Sequence, residues 1–158
     1  MGKPDSCSRP GCKALRHGRH SAPGIIYHVT TSTLDRYPYF RDFPSGRLVV
    51  REMRRLEEEG HVDSLAWVLM PDHLHWLFRL KGRSSLAQAM GMIKGRSAFT
   101  LNRRLHRRGP IWQKAFYEHA MRADEDLVAT ARYIVANPVR AGVVQRVMDY
   151  PLWDAVWI

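Results

Sequence analysis

Residues 62–80 constrain the fold more than any other stretch. Val62 to Met70 reads as a strand, Met70-Pro71-Asp72 as a turn, and His73 to Leu80 as a second strand. Proline fixes φ and aspartate favours turns, so the two runs predict a β-hairpin. Along the second strand Leu74, Trp76, Phe78 and Leu80 fall on one face. His73 and His75 fall on the other, because side chains alternate.

Other elements follow from period and punctuation. Tyr27 to Ser32 is rich in aromatic and β-branched residues and predicts a first strand. Val49, Met53 and Leu56 predict a helix over 45–59, ended by Gly60. Leu86, Met90, Ile93, Leu101 and Leu105 predict a second helix over 84–107, which Gly91 and Gly95 weaken or split. Residues 111–121 predict a fourth strand. A third helix is capped at Asp124, with Glu125 and Asp126 in its first turn, and ends at Asn137 before Pro138. The order β-α-β-β-α-β plus a helix predicts an α+β chain with a ferredoxin-like core, an antiparallel sheet and an additional C-terminal helix.

The length of 158 residues suits one domain, here 24–158, behind a flexible basic arm, 1–23, that carries Lys3, Arg9, Lys13, Arg16 and Arg19. About 45% of the chain is hydrophobic, enough for a core, while the net charge of +10 calls for a polyanionic partner. That charge serves nucleic acid or an anionic membrane surface alike. No run reaches the roughly 20 apolar residues of a membrane span, and the N-terminus lacks the apolar stretch of a signal peptide, so the expected compartment is the cytoplasm. Cys7 and Cys12 are expected as free thiols; a compressed zinc site with His17 and His20, or a small disulfide loop, is the alternative.

Chemistry concentrates in two places. The rings of His73 and His75 have Cβ atoms roughly 6.5–7 Å apart on a strand and can share one cation. On the third helix Asp126, Thr130, Tyr133 and Asn137 make a polar side opposite Leu127, Ala131, Ile134 and Val135. Tyr133 and Asn137 lie one turn apart, and an amide oxygen is a hard donor suited to Mg²⁺ or Mn²⁺. Asp72 either makes the turn or sits behind the metal, and His28 is either a hydrogen-bonded histidine or a further neighbour of the site. Tyr117, two residues from His119, is the rival nucleophile or a base-stacking residue.

The stretch MPDHLHWLF, with His73-Leu74-His75, resembles the histidine-hydrophobic-histidine hallmark of the HUH endonucleases and, more closely, that of the IS200-like transposases and their REP-associated branch. WQKAFYEHAMR and YIVANPVRAGVV resemble further segments of that branch in the expected order. The resemblance implies a metal-dependent tyrosine transposase or DNA endonuclease. His73, His75 and Asn137 would hold Mg²⁺ or Mn²⁺, and Tyr133, on the catalytic C-terminal helix, would form a 5′-phosphotyrosine. It implies single-stranded DNA with a hairpin, a repetitive palindromic element, as partner, and a monomer or a homodimer as the acting unit. Asp72 stands where many relatives carry Asn.

Lys94, Arg96, Arg103, Arg104, Arg107, Arg108 and Lys114 form an acid-free basic run and the expected DNA-binding surface, four of the arginines at one-turn spacing. Tyr37, Tyr39, Trp112 and Phe116 are candidate stacking platforms, the last two equally core residues. Two other activities fit the same residues: a catalytically inactive hairpin-binding protein, and a metal-dependent nuclease or phosphoesterase that uses water as nucleophile.

Overall fold

The computed structural model describes residues 22–157. The basic arm, Cys7, Cys12, His17 and His20 therefore lie outside the described residues, except for positions 22 and 23. Strands β1 (Ile26–Ser32), β2 (Val62–Met70), β3 (His73–Leu80), β4 (Tyr117–Ala120) and β5 (Trp153–Ala155) form one antiparallel sheet in the order β4-β1-β3-β2-β5. Helices α1 (Phe43–Glu58) and α2 (Leu86–Arg104) interleave with the first four strands, giving the ferredoxin-like order. The short β5 adds an edge strand that periodicity did not predict. Helices α3 (Leu127–Val135) and α4 (Asn137–Arg140) precede it.

The two sheet faces have separate tasks. Val29, Leu74, Trp76 and Phe78 are at most 1% exposed and form the core with Val49, Met53 and Leu56 of α1. Burying each such side chain contributes about 1.5–3 kcal/mol. α1 approaches closely because position 46 is glycine: a Cβ there would stand 2.5 Å from Leu152 and 3.5 Å from Leu69. Asp42 caps α1 through Ser45 N and Oγ, at 3.1 and 2.6 Å. Helix α3 covers the opposite face, over β2, β3 and β5, burying Ala131, Ile134 and Val135.

Four expectations change. Helix α2 is not split, because a capping box of Ser85 and Gln88 starts it and a continuous buried face, from Leu86 to Leu101, outweighs about 1 kcal/mol for each glycine. The fourth strand is shorter than 111–121. Trp112 makes only a single bridge to Thr33, and the backbone leaves the ladder until Tyr117. Asp126, not Asp124, caps α3, accepting from Val128 N and Ala129 N at 2.9 and 3.0 Å. That helix ends at Val135, and Asn137 opens α4 with Pro138 in its first turn, where a missing N–H costs nothing. Among the described residues no helix is long and apolar enough to cross a membrane.

Candidate active site

Paired residues in an antiparallel ladder share a face. Thr30 pairs with His75 on one side and Tyr117 on the other, and His28 pairs with Leu77 and His119. His28, Thr30, His73, His75, Tyr117 and His119 therefore stand together on the face away from Trp76. The ring centroids of His73 and His75 are 4.9 Å apart at an interplanar angle of 82°. The His28 ring lies 5.6 Å from that of His75.

Each imidazole of the pair is held from behind. His73 Nδ1 lies 2.6 Å from Asp72 Oδ1, and the other oxygen of Asp72 lies 3.0 Å from Arg36 Nε. Asp72 thus orients the ring as well as serving the turn. Arg36 also donates to Ser32 Oγ at 2.6 Å. This placement holds Asp35 and Arg36 at φ 54° and 55°, a left-handed pose costing roughly 1–2 kcal/mol per residue. His75 Nδ1 lies 2.9 Å from Thr30 Oγ1. With the proton on Nδ1 both rings donate to these oxygens, and both Nε2 lone pairs stay open. This is the arrangement of metal-ligating histidines.

Burial, then the charges of His73, His28, Arg140 and Arg36, pushes the His75 imidazole down to about 3. It is therefore neutral, the form that binds a cation, throughout the ordinary pH range. An unfolded imidazole takes a proton near 6.5, which this folded one refuses. The contribution to stability is complete above about 6.5 and drains away as pH falls towards 3. Melting temperatures of the metal-free protein should fall between pH 7 and 4.5. His75→Gln, which has no such proton to bind, should fall less steeply; an equal slope would contradict the assignment.

His28 departs from the expectation of a hydrogen-bonded histidine. Its Nε2 is buried and has no hydrogen-bond partner among the described residues. Burial, and then His119, lowers its proton affinity. Together with His119, Glu125, Thr130 and Tyr133 it lines a cleft of about 330 Å³. His119 Nε2 is itself bonded to Glu125, at 2.8 Å.

Tyr133 is 56% exposed and borders that cleft, on the imidazole side of the sheet. The Asn137 amide donates to Ile134 O at 2.9 Å, which leaves its oxygen without a hydrogen bond to any described residue. Arg140, which sequence reasoning passed over, lies over the Tyr133 ring at 3.7 Å and donates to the Tyr133 carbonyl at 2.6 Å. The rival Tyr117 shares the face and is 57% exposed, one strand beyond Thr30. Among the described residues no three His, Cys, Asp or Glu side chains are grouped to hold a metal ion. The two open Nε2 atoms would need oxygen donors, from an amide or from phosphate, to complete a coordination shell.

The basic run is divided among several tasks. Lys94 turns inward, donating to the carbonyls of Lys114 and Ala115 at 3.1 and 3.3 Å where the chain leaves the sheet, and burial lowers it to about 8. Arg96 pairs with Glu59, and Arg104 with Asp42. His106, at φ 49°, turns the chain out of α2, so Arg107 and Arg108 do not continue a helical ridge with Arg103 and Arg104. Arg107 bonds to the Tyr39 hydroxyl, and Arg103 lies 5.7 Å from the Phe99 ring. Arg108 and Lys114 have no carboxylate partner among the described residues. Trp112 belongs to the core, donating to Ser97 Oγ at 2.9 Å, and Phe116 packs beside it under Lys94. Tyr37 is exposed, 4.6 Å from the half-buried ring of Tyr39, in a groove with Arg41, Leu105 and Arg107.

Known proteins share this architecture. A solved REP-associated tyrosine transposase bound to a REP hairpin superposes with a TM-score of 0.72 at 24% identity, covering 87% of this chain and 81% of that one. A putative transposase from Deinococcus radiodurans gives 0.53 at 18% identity, covering 85% and 96%. Both likenesses concern the fold. In sequence, a putative REP-associated tyrosine transposase of Haemophilus influenzae is 33% identical over 99 residues, 56% of each chain. The REP-associated tyrosine transposase of Escherichia coli is 33% identical over 87 residues, 54% of this chain and 50% of that one. The chain thus spans about half the length of the curated relatives it matches. The family model described as "Transposase IS200 like" matches residues 21–137, most of the chain and all of the imidazole face, and the protein belongs to that family.

Proposed function

We propose that the protein is a divalent-metal-dependent tyrosine transposase that cuts and rejoins single-stranded DNA at repetitive palindromic hairpins. The observation that carries this reading is the pair of imidazoles with Nδ1 engaged and Nε2 open, on the sheet face that α3 crosses with an exposed tyrosine. His73 and His75 would hold Mg²⁺ or Mn²⁺, with the Asn137 oxygen as the further protein donor. Bound there, the ion would neutralise charge developing on the phosphoryl oxygens.

The chain's own residues do the rest. The Tyr133 oxygen attacks phosphorus, its phenol proton leaves to solvent, and the 3′ oxygen of the departing strand is released as a hydroxyl. The DNA is then joined to the protein as a 5′-phosphotyrosine, which conserves the phosphodiester bond for rejoining. A second 3′-hydroxyl reverses the step and frees the phenol. Tyr133 borders a cleft lined by His28 of its own chain, whose ring lies 5.6 Å from that of His75, which supports action as a monomer. The names of the relatives support REP-type hairpins as the target, and the exposed Tyr37, beside Tyr39 and Arg107, supports contact with unpaired bases.

End-labelled hairpin oligonucleotides with Mn²⁺ or Mg²⁺ should yield a protein–DNA adduct that survives denaturation and is absent with chelator. Tight hairpin binding with neither product nor adduct would support the inactive-binder reading. Product without adduct would point to water as nucleophile. Thr30→Val should weaken Mn²⁺ binding by roughly tenfold in calorimetry, since it removes the partner behind His75. Unchanged affinity would remove Thr30 from the site.

A further inference from the structure

Arg140 is tied twice to one residue. Its guanidinium lies 3.7 Å from the centroid of the Tyr133 ring, and its Nη1 donates to the Tyr133 carbonyl at 2.6 Å. A second helical turn, Asn137–Arg140, follows α3 directly and carries Arg140 at its end, seven residues beyond the carbonyl it bonds. The side chain is exposed, and among the described residues no carboxylate pairs with it. A guanidinium has five N–H donors in a rigid plane, and the carbonyl uses one. A cation with no carboxylate partner among the described residues thus stands against the ring of Tyr133, where a phosphate would arrive.

We propose that Arg140 sets the pose of the Tyr133 phenol and donates to a non-bridging oxygen of the scissile phosphate. The inference rests on Tyr133 as nucleophile and adds the residue that brings phenol and phosphate into line. A flat cation against one face of the ring restricts its rotation, and the remaining donors match a phosphate bidentately. Lysine, a point charge without a planar fork, does neither well.

The test uses the full chain, a labelled hairpin and Mn²⁺ under single-turnover conditions. Arg140→Met should form adduct about 100-fold more slowly, with hairpin affinity little changed and an unaltered melting temperature. Arg140→Lys should recover only a small part of the rate. Added methylguanidinium should partly rescue Arg140→Met and leave Tyr133→Phe inert. Mn²⁺ titrated without DNA should bind Arg140→Met as tightly as wild type or tighter, because a neighbouring positive charge has gone; a merely structural residue would weaken the site instead.

A wild-type rate in Arg140→Met would overturn the proposal alone, as would equal losses of binding and rate, weakened Mn²⁺ binding, or failure of rescue. Absence of adduct from the wild-type protein would sink the nucleophile assignment and this proposal together.

Discussion

Tyr133→Phe is expected to form no covalent adduct with hairpin DNA and to cleave it at least roughly a thousandfold more slowly, while binding hairpin and Mn²⁺ like the wild type. The substitution removes one oxygen. The phenyl ring keeps its place over α3, and Arg140 can still bond to the backbone carbonyl of residue 133. Neither imidazole depends on the phenol for its hydrogen bonds, which go to Asp72 and Thr30. Loss of adduct with intact binding is therefore the signature of a missing nucleophile rather than a damaged site. Tyr117 provides the control, since it shares the sheet face and is equally exposed. Tyr117→Phe should retain adduct formation. An adduct that persists in Tyr133→Phe and vanishes in Tyr117→Phe would transfer the role to the strand.

His73→Ala and His75→Ala should each weaken Mn²⁺ binding by more than the roughly 10–100-fold lost with a partner behind a metal-binding ring. Adduct formation should fall about a thousandfold, as expected when several kcal/mol of charge stabilisation disappear. The two variants should differ in stability. Truncating half-buried His75 removes its contact with Thr30, whereas the His73 variant leaves the Asp72 carboxylate to its remaining partner, Arg36. Calorimetric titration combined with melting curves separates these effects. Wild-type Mn²⁺ affinity in both variants would mean that the pair does not hold the ion.

The hairpin, and with it the shared face of His73 and His75, was legible because a period of two and a turn dipeptide are local properties. The order of the first six elements followed for the same reason. Local propensity failed where tertiary burial decided: Gly91 and Gly95 did not interrupt α2, because Ala89, Met90, Ile93 and Leu101 are buried beside them. It failed again after Trp112, whose anchoring in the core holds the chain away from the ladder. At the candidate site, sequence spacing put His73 and His75 on one face and singled out Asp72 behind them, but not the other residues that hold the rings. Thr30 and Arg36 meet the imidazole pair from a neighbouring strand and turn, at sequence separations that carry no periodic signal. Arg140 lies in a helical turn, opened at Asn137, where sequence reading expected the helix to stop. The basic run shows the opposite limit, since a count of positive charges does not reveal that Lys94 and Arg96 are already engaged within the fold.

The division of β3 into a chemical side and a packed side makes its alignment unforgiving. Adding or deleting one residue in the Pro71-Asp72 turn would swap the sides, driving two imidazoles into the core under α1 and moving Trp76 to the face that α3 crosses. If the imidazole pair acts as proposed, length at that turn matters as much as the histidines themselves, and the connection can drift in composition, Asp or Asn alike, but not in spacing.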